Sequence, residues 1–306
     1  MSLNDKPIQY TQPDIVSLKK SGYNLVDMHL HTCHSDGLPD TDDVIRYAKN
    51  HQIGVAITDH NEISGVLKAI SRNEDLLIIP GIELETKEGP HLLIYFYSEG
   101  DLEEYFKEFN RERNRNKPGL PENLPVLQCL TLAEAYECFR VAAHPFGYYG
   151  INRGVLKCVE KNMLPGVMEH LDGIEAICGG MMKNLNQKSI DYAEQHTIPY
   201  TGGSDAHILS DIGSVVTGTF GETIEEFLSG IKKRENIVIG KNSDYIRKGA
   251  TAGVIAWSFL PYTASKISAH YSVNKRRTED IISYYQEKIN SLKESQKQKG
   301  DKSEKR

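Results

Sequence analysis

The chain has 306 residues, of which 39% are hydrophobic, 25% charged and 8% aromatic. That apolar share is enough for a large core and excludes wholesale disorder. The 36 Lys and Arg against 42 Asp and Glu leave a net charge of −6, which excludes a generic basic binder that wraps a long duplex by bulk electrostatics. The five cysteines, Cys33, Cys129, Cys138, Cys158 and Cys178, are widely spaced and form no CxxC pair. Neither a disulfide scaffold nor a thiolate zinc knuckle is indicated, and reduced thiols are expected. The opening MSLNDKPIQYTQPD is polar and lacks a signal-peptide core. The best apolar window, Ala250 to Pro261, is too short to span a bilayer as a helix. A cytoplasmic protein with no membrane partner is expected.

In chain order, residues 1–22 read as an N-terminal extension. Tyr23 to Leu30 reads as a strand, and Asp40 to His51 as a helix with Thr41 as N-cap ahead of Asp42 and Asp43. Val55 to Thr58 is a second strand, Ile63 to Ile70 a short helix, and Leu76 to Ile79 a third strand closed by Pro80-Gly81. His91 to Tyr97 is a fourth strand. The charged run Asp101 to Lys117 predicts an exposed helix, Pro118 to Pro125 a loop, and Leu132 to Arg140 another helix. Together they suggest a helical insertion over about 101–140. The rhythm resumes with strands at Val141 to Ala143, Gly173 to Ile177 and Tyr200 to Gly202, with a helix at Lys188 to His196. Val215 to Phe220 is a strand, Ile224 to Arg234 a helix, and Ile237 to Gly240 a last strand. About seven strands with polar residues at their ends suit an α/β barrel over 23–243 better than an open sheet. Residues 244–292 predict a C-terminal helical extension packed on the barrel, and 293–306 a disordered tail.

The densest chemistry lies in Asp27-Met28-His29-Leu30-His31-Thr32-Cys33-His34-Ser35-Asp36-Gly37. Alternate residues of a strand share a side, so His29 and His31 project together, a geometry for joint ligation of Zn, Fe or Mn. Asp27 has the same parity and suits a supporting hydrogen bond. Other strands end in metal-competent residues: Asp59-His60, Glu83, His91, His144, Glu175 and Asp205-Ala206-His207. This placement matches the catalytic rim of a barrel. Cys33 and His34 are adjacent and diverge, so packing suits Cys33 better than nucleophilic attack. Arginine's planar fork suits phosphate oxygens, and the candidates are Arg111 and Arg115, four apart on one helix face, and Arg153 after the His144 loop. Lys183 is a weaker candidate. Tyr148 or Tyr149 could stack on a base.

These residues resemble the polymerase-and-histidinol-phosphatase (PHP) family of metal-dependent phosphoesterases. The HxHTxxSDG motif matches His29 through Gly37, and TDH is Thr58-Asp59-His60. Gly81-Ile82-Glu83 with His91, then His144-Pro145, then Gly203-Ser204-Asp205-Ala206-His207 complete the set in matching order over about 23–240. The resemblance implies a distorted seven-stranded (β/α)7 barrel with two or three divalent ions, Mn, Fe or Zn. It implies that His29, His31, Glu83 and Asp205 hold the first ion. Glu83 would bridge to a second held by His91 and His144, and Asp36, His60 and His207 would form a third site. Asp36 stands where some relatives carry histidine, which leaves the count between two and three. The implied chemistry is attack of a metal-activated hydroxide on phosphorus. His207 is the candidate general acid, with Asp59 and Asp27 orienting ligands. The chain looks most like stand-alone members that dephosphorylate nucleoside 3′,5′-bisphosphates or trim short oligonucleotides. Histidinol-phosphate phosphatase is the rival activity, and a metal-binding regulatory module without turnover or an amide hydrolase is the rival class. The expected partner is a small phosphorylated substrate, with no long duplex nucleic acid.

Overall fold

The computed structural model describes residues 6–72, 75–115, 122–147 and 152–241. The chain divides into two units, Met1–Ser258 and Phe259–Arg306, and every described residue lies in the first. The expected C-terminal extension and tail, and Tyr148 and Tyr149, fall outside the described residues.

The first half holds β1 (Ile8–Gln9), α1 (Ile15–Lys20), β2 (Asn24–Leu30), α2 (Thr41–His51), β3 (Gly54–Ile57), α3 (Ser64–Ser71), β4 (Gly81–Glu85), β5 (His91–Phe96) and α4 (Glu99–Arg113). Next come α5 (Val126–Ala133), β6 (Cys138–Ala142), α6 (Val155–Glu160), β7 (Gly173–Cys178) and α7 (Lys183–His196). The described chain closes with β8 (Tyr200–Gly203), β9 (Val215–Thr219), α8 (Ile224–Lys232) and β10 (Ile237–Gly240). Helices α1, α2, α4 and α8 start where a side chain satisfies one of their first N–H groups. Asp40 rather than Thr41 caps α2, accepting from the Asp42 N–H at 2.9 Å. Ser98 caps α4, and Thr223 with Glu226 forms a capping box on α8. Helix α4 buries Leu102, Tyr105 and Phe109, one stripe along its inner face.

The expected barrel is not what forms. The strands make two five-stranded sheets, ordered β1-β10-β9-β2-β3 and β4-β5-β6-β7-β8, and neither closes on the other. The pairing is mixed. β5 runs antiparallel to both β4 and β6, and β9 antiparallel to both β10 and β2, whereas β2–β3 and β6–β7–β8 are parallel. The short turn from Glu85 to His91 returns β5 beside β4 as a hairpin, with no crossover helix, which breaks the βα repeat that a barrel requires. The sheets approach through isolated bridges, Leu30 with Ala206, Val55 with Ile78 and His60 with Glu83, not through a continuous ladder.

Two segments differ from expectation for related reasons. Leu76 to Ile79 contributes a single bridge at Ile78, and the strand falls beyond Pro80, on Gly81–Glu85. The helix expected to reach Arg140 stops at Ala133, and Cys138–Ala142 instead pairs with β5. There Phe139, Val141 and Ala142 are fully buried against the sheet, which the extended backbone allows and a continued helix would not. The presumed N-terminal extension also carries structure, since β1 pairs in parallel with β10. Among the described residues no helix is long and apolar enough to cross a membrane.

A compact core of Val26, Met28, Ala56, Ile79, Leu93, Tyr95, Phe139 and Val141 links strands of both sheets. Within it the Tyr95 hydroxyl donates to the Met28 carbonyl at 2.6 Å, joining β5 to β2. Tyr95→Phe leaves that buried carbonyl without its donor, and urea unfolding is expected to show a loss of about 1–2 kcal/mol. An unchanged midpoint would mean that this bond does not help to hold the sheets together.

Candidate metal centre

The centre lies where the two sheets approach. Strand β2 delivers His29 and, just past its end, His31, both fully buried. Their shared parity brings the two Nε2 atoms to 3.3 Å from each other. Each also lies 3.3 Å from Glu83 Oε2, and His60 Nδ1 lies 3.1 Å from the same oxygen. The other oxygen, Oε1, has His91 Nδ1 at 3.0 Å and His144 Nε2 at 3.1 Å. Asp205 Oδ1 stands 3.3 Å from His31 Nε2 and 3.6 Å from His29 Nε2. Asp36 Oδ2 lies 3.2 Å from His207 Nε2 and 3.7 Å from His60 Nε2. The nine expected ligands therefore converge. They form overlapping groups, including His29-His31-Asp205, His60-Glu83-His91 and His31-Asp36-His60-His207. Glu175 and Cys178 make a further group with His29.

The surrounding backbone fixes these positions. His144 and Asp205 have φ of +28° and +53°, a left-handed region that non-glycine residues enter at a cost. His144 N–H donates to Glu175 Oε2 at 2.7 Å, and Asp205 N–H to the His29 carbonyl at 2.7 Å, which offsets that strain. Glu175 Oε1 lies 2.9 Å from His29 Nδ1, so the proton belongs on Nδ1 and Nε2 is left facing the cluster. The sequence marks Glu175 as one of the metal-competent residues of the strands, without a role in holding His29. Its supporting position depends on the β6–β7 pairing, which no local pattern encodes.

Asp27 and Asp59 lie beneath the cluster and organise loops. Asp27 accepts from Ser204 N–H and Oγ at 2.8 and 2.6 Å and from Gly213 N–H at 2.8 Å. Asp59 accepts from Thr32 N–H and Oγ1, both at 2.7 Å, and from Ser35 Oγ at 2.6 Å. Gly65 permits this, since a Cβ there would come within 2.2 Å of Asp59 Oδ2. Among the described residues neither carboxylate touches a ligand imidazole.

The candidate substrate residues separate. Arg111, on α4, and Arg115, just past its end, are strongly exposed and pair with Glu108 at 2.6 Å and Glu112 at 3.2 Å of that helix. Arg153 lies beside the centre, its carbonyl accepting from His91 N–H at 3.1 Å. Lys183 sits 5.5 Å over the Tyr10 ring. Cys33 is exposed, and partial burial with the nearby Asp40 and Asp59 charges pushes its thiol up, away from thiolate character. His34 Nδ1 lies 2.7 Å from Ser64 Oγ.

Electrostatics set the protonation pattern. Burial disfavours a charged Glu83, yet His60, His29 and His91 hold it well below the usual carboxylate range. Asp36 and Asp205 are likewise lowered against burial, chiefly by His60 and by His29 respectively. Burial lowers His91 to about 4, outweighing Glu83. Against burial, Glu175, Glu83 and Asp205 raise His29. The donors suit divalent ions: His31 Nδ1, His60 Nδ1 and Glu83 Oε2 are buried and make no hydrogen bond, and an all-N/O set fits Mn, Fe or Zn. The cluster is consistent with several divalent ions.

Residues 183–236 match the PHP-associated family model. No curated protein matches the sequence. Three solved structures are similar in fold. A two-domain protein from Bacteroides vulgatus, described as containing a predicted PHP-like metal-dependent phosphoesterase, aligns with a TM-score of 0.50 at 15% identity, over 79% of this chain and 70% of that one. The lesion-specific endonuclease Q of Pyrococcus furiosus aligns with a TM-score of 0.54 at 17% identity, over 71% and 57%. An endonuclease Q complex with a 27-mer duplex bearing an abasic lesion gives 0.54 at 17%, over 72% and 60%. The fold is PHP-domain-like, and its clustered His, Asp and Glu side chains have metal-ligand geometry.

His207 is raised to about 9 in the metal-free protein: burial opposes the charge, but the Asp36 hydrogen bond and charge prevail. A histidine raised in this way contributes stability that is complete below its ordinary value of 6.5 and lost as pH climbs through about 9. Unfolding of the metal-free protein is expected to become easier across that window, and Asp36→Asn to flatten the decline. A wild-type profile that rises there would contradict the pairing.

Proposed function

We propose that the protein hydrolyses a small phosphate monoester, best matched by the 3′-phosphate of a nucleoside 3′,5′-bisphosphate or the end of a short oligonucleotide. The observation that carries this reading is the Glu83 carboxylate set among five imidazoles at the join of the sheets. In this reading His29, His31, Glu83 and Asp205 hold one ion, Glu83, His91 and His144 a second, and Asp36, His60 and His207 a third. Bound Mn, Fe or Zn would supply Lewis acidity and an acidified water.

The chain's own groups do the rest. Glu175 keeps the His29 proton on Nδ1, so that Nε2 is available as a donor atom. Asp27 and Asp59 hold the Ser204 and Thr32 loops, which carry Asp205 and the His31–Asp36 turn. Arg153, whose backbone carbonyl accepts from His91 N–H, is the residue this reading assigns to phosphate oxygens. Where two ions suffice, His207 keeps a proton next to Asp36 and can deliver it to the leaving oxygen. The Cys33 thiol donates to Asp40 and is pushed up by partial burial and by the Asp40 and Asp59 charges, which argues against a thiolate nucleophile. Free thiols at all five cysteines support a cytoplasmic setting.

The test is phosphate release by the metal-reconstituted protein from a nucleoside 3′,5′-bisphosphate, short RNA and DNA, histidinol phosphate and an aryl phosphate. Release from the bisphosphate is expected. In Glu83→Ala it should fall by more than the roughly hundredfold that loss of a supporting partner costs. Preference for histidinol phosphate would reassign the branch. Bound metal with no turnover of any phosphate compound would overturn the reading in favour of a regulatory module.

A further inference from the structure

Strand β7 ends at Cys178, a fully buried residue whose thiol lies against Asp205. Its S–H donates to Asp205 Oδ2 at 3.6 Å, a contact length suited to the large sulfur atom. The two oxygens of that carboxylate therefore have different surroundings. Oδ1 faces the imidazoles, 3.3 Å from His31 Nε2 and 3.6 Å from His29 Nε2. Oδ2 faces the thiol. A carboxylate can hold a cation through one oxygen or through both, and this division presents Oδ1.

Helix α7 and the turn before it hold the thiol in place. Asn186, buried on α7, grips the Cys178 backbone on both sides. Its Oδ1 accepts from the Cys178 N–H at 3.0 Å, and its Nδ2 donates to the Cys178 carbonyl at 2.9 Å. A side-chain amide that accepts and donates at once fixes orientation as well as position. The Cys178 carbonyl also accepts from Met181 N–H at 3.1 Å, which closes the turn. Gly179 N–H donates to the Gly203 carbonyl at 2.9 Å, tying the turn to the end of β8 two residues before Asp205. Gly180 allows the close approach, since a Cβ there would come within 2.4 Å of Asp205 Oδ2. The sulfur also groups with His29 and Glu175 as a possible ligand set. Both Glu175 oxygens are engaged there, Oε1 with His29 Nδ1 at 2.9 Å and Oε2 with His144 N–H at 2.7 Å. That group therefore acts as a supporting layer, in which the thiol serves Asp205 as Glu175 serves His29.

We infer that Cys178 is a positioning residue for Asp205: its S–H holds Oδ2, turns Oδ1 toward His29 and His31, and keeps Asp205 a one-oxygen ligand. Asn186 acts on the centre through Cys178. This inference rests on the reading of Asp205 as a ligand and goes beyond it by naming what orients that ligand. Asp205 serves the ion assigned to His29, His31 and Glu83. The thiol therefore governs that ion and leaves the one assigned to Glu83, His91 and His144 in place.

The experiment measures Mn²⁺ and Co²⁺ binding to full-length protein in competition with a chelator: wild type, Cys178→Ala, Cys178→Val and, as a control at a buried thiol on α5, Cys129→Ala. Elemental analysis gives the ions retained, and the absorption of the cobalt-loaded protein reports the ligands. Cys178→Ala is expected to weaken one ion about tenfold, the low end for an outer partner of a ligand because S–H is a weak donor. The affinity of the remaining ions should not change, and Cys129→Ala should bind as the wild type does. The ligand-field bands of bound cobalt should shift in the Cys178 variants alone, with no sulfur-to-cobalt charge-transfer band in the wild type. Cys178→Val fills the space without a donor and should match Cys178→Ala, so the outcome does not depend on the alanine variant folding. Wild-type affinity in both Cys178 variants, equal weakening of every ion, or a sulfur-to-cobalt band in the wild type would overturn the inference alone. A wild type that binds no ion would overturn it together with the metal reading.

Discussion

Two oxygens of one buried carboxylate, Glu83, lie within 3.3 Å of five imidazoles carried by four different strands and the loops that follow them. A single charge surrounded in this way is stable only if its neighbours supply compensating charge or donors. Glu83 meets that condition by its location. It sits in the middle of β4, its backbone bridges to His60, and its side chain reaches across to β2. The centre therefore depends on bringing two sheets together at their edges rather than on any one loop.

The fold supplies this convergence without closing. β2 carries His29, and the turns after β2, β3, β6 and β8 carry His31, His60, His144 and Asp205. Several ligands are then fixed by a backbone bond or a buried carboxylate, as His29 by Glu175, His91 by the Arg153 carbonyl and Asp205 by the His29 carbonyl. Asp27, Asp59 and Glu175 are all buried and receive eight hydrogen bonds or close histidine contacts from the ligand-bearing segments between them. The positive φ at His144 and Asp205 adds local strain at two of those segments. This organisation keeps nitrogens such as His31 Nδ1 and His60 Nδ1 in the interior without a hydrogen bond, a state that cations relieve.

Much of the centre was legible because metal ligation imposes short-range patterns. The His29–His31 spacing follows from strand periodicity, and the remaining ligands sit at the ends of apolar runs. The architecture was less legible. Hydrophobic alternation marks a strand but not its direction, so the antiparallel returns of β5 and β9 could not be told from parallel crossovers, and a barrel was expected where two open sheets form. Strand β6 was expected only from Val141, because Leu132 to Arg140 also fits a helix, and burial against β5 decides for strand from Cys138. Arg111 and Arg115 stand out by their charge, yet α4 ends at Arg113, so they share no helix face, and both lie exposed to solvent.

The most direct test of the account is the number of divalent ions bound per chain, measured by elemental analysis of the metal-reconstituted wild type and Glu83→Gln. If one carboxylate joins separate ligand groups, the wild type binds at least two ions and this single neutral, nearly isosteric change removes more than one. A variant that keeps the full complement, or a wild type that binds none, would contradict it.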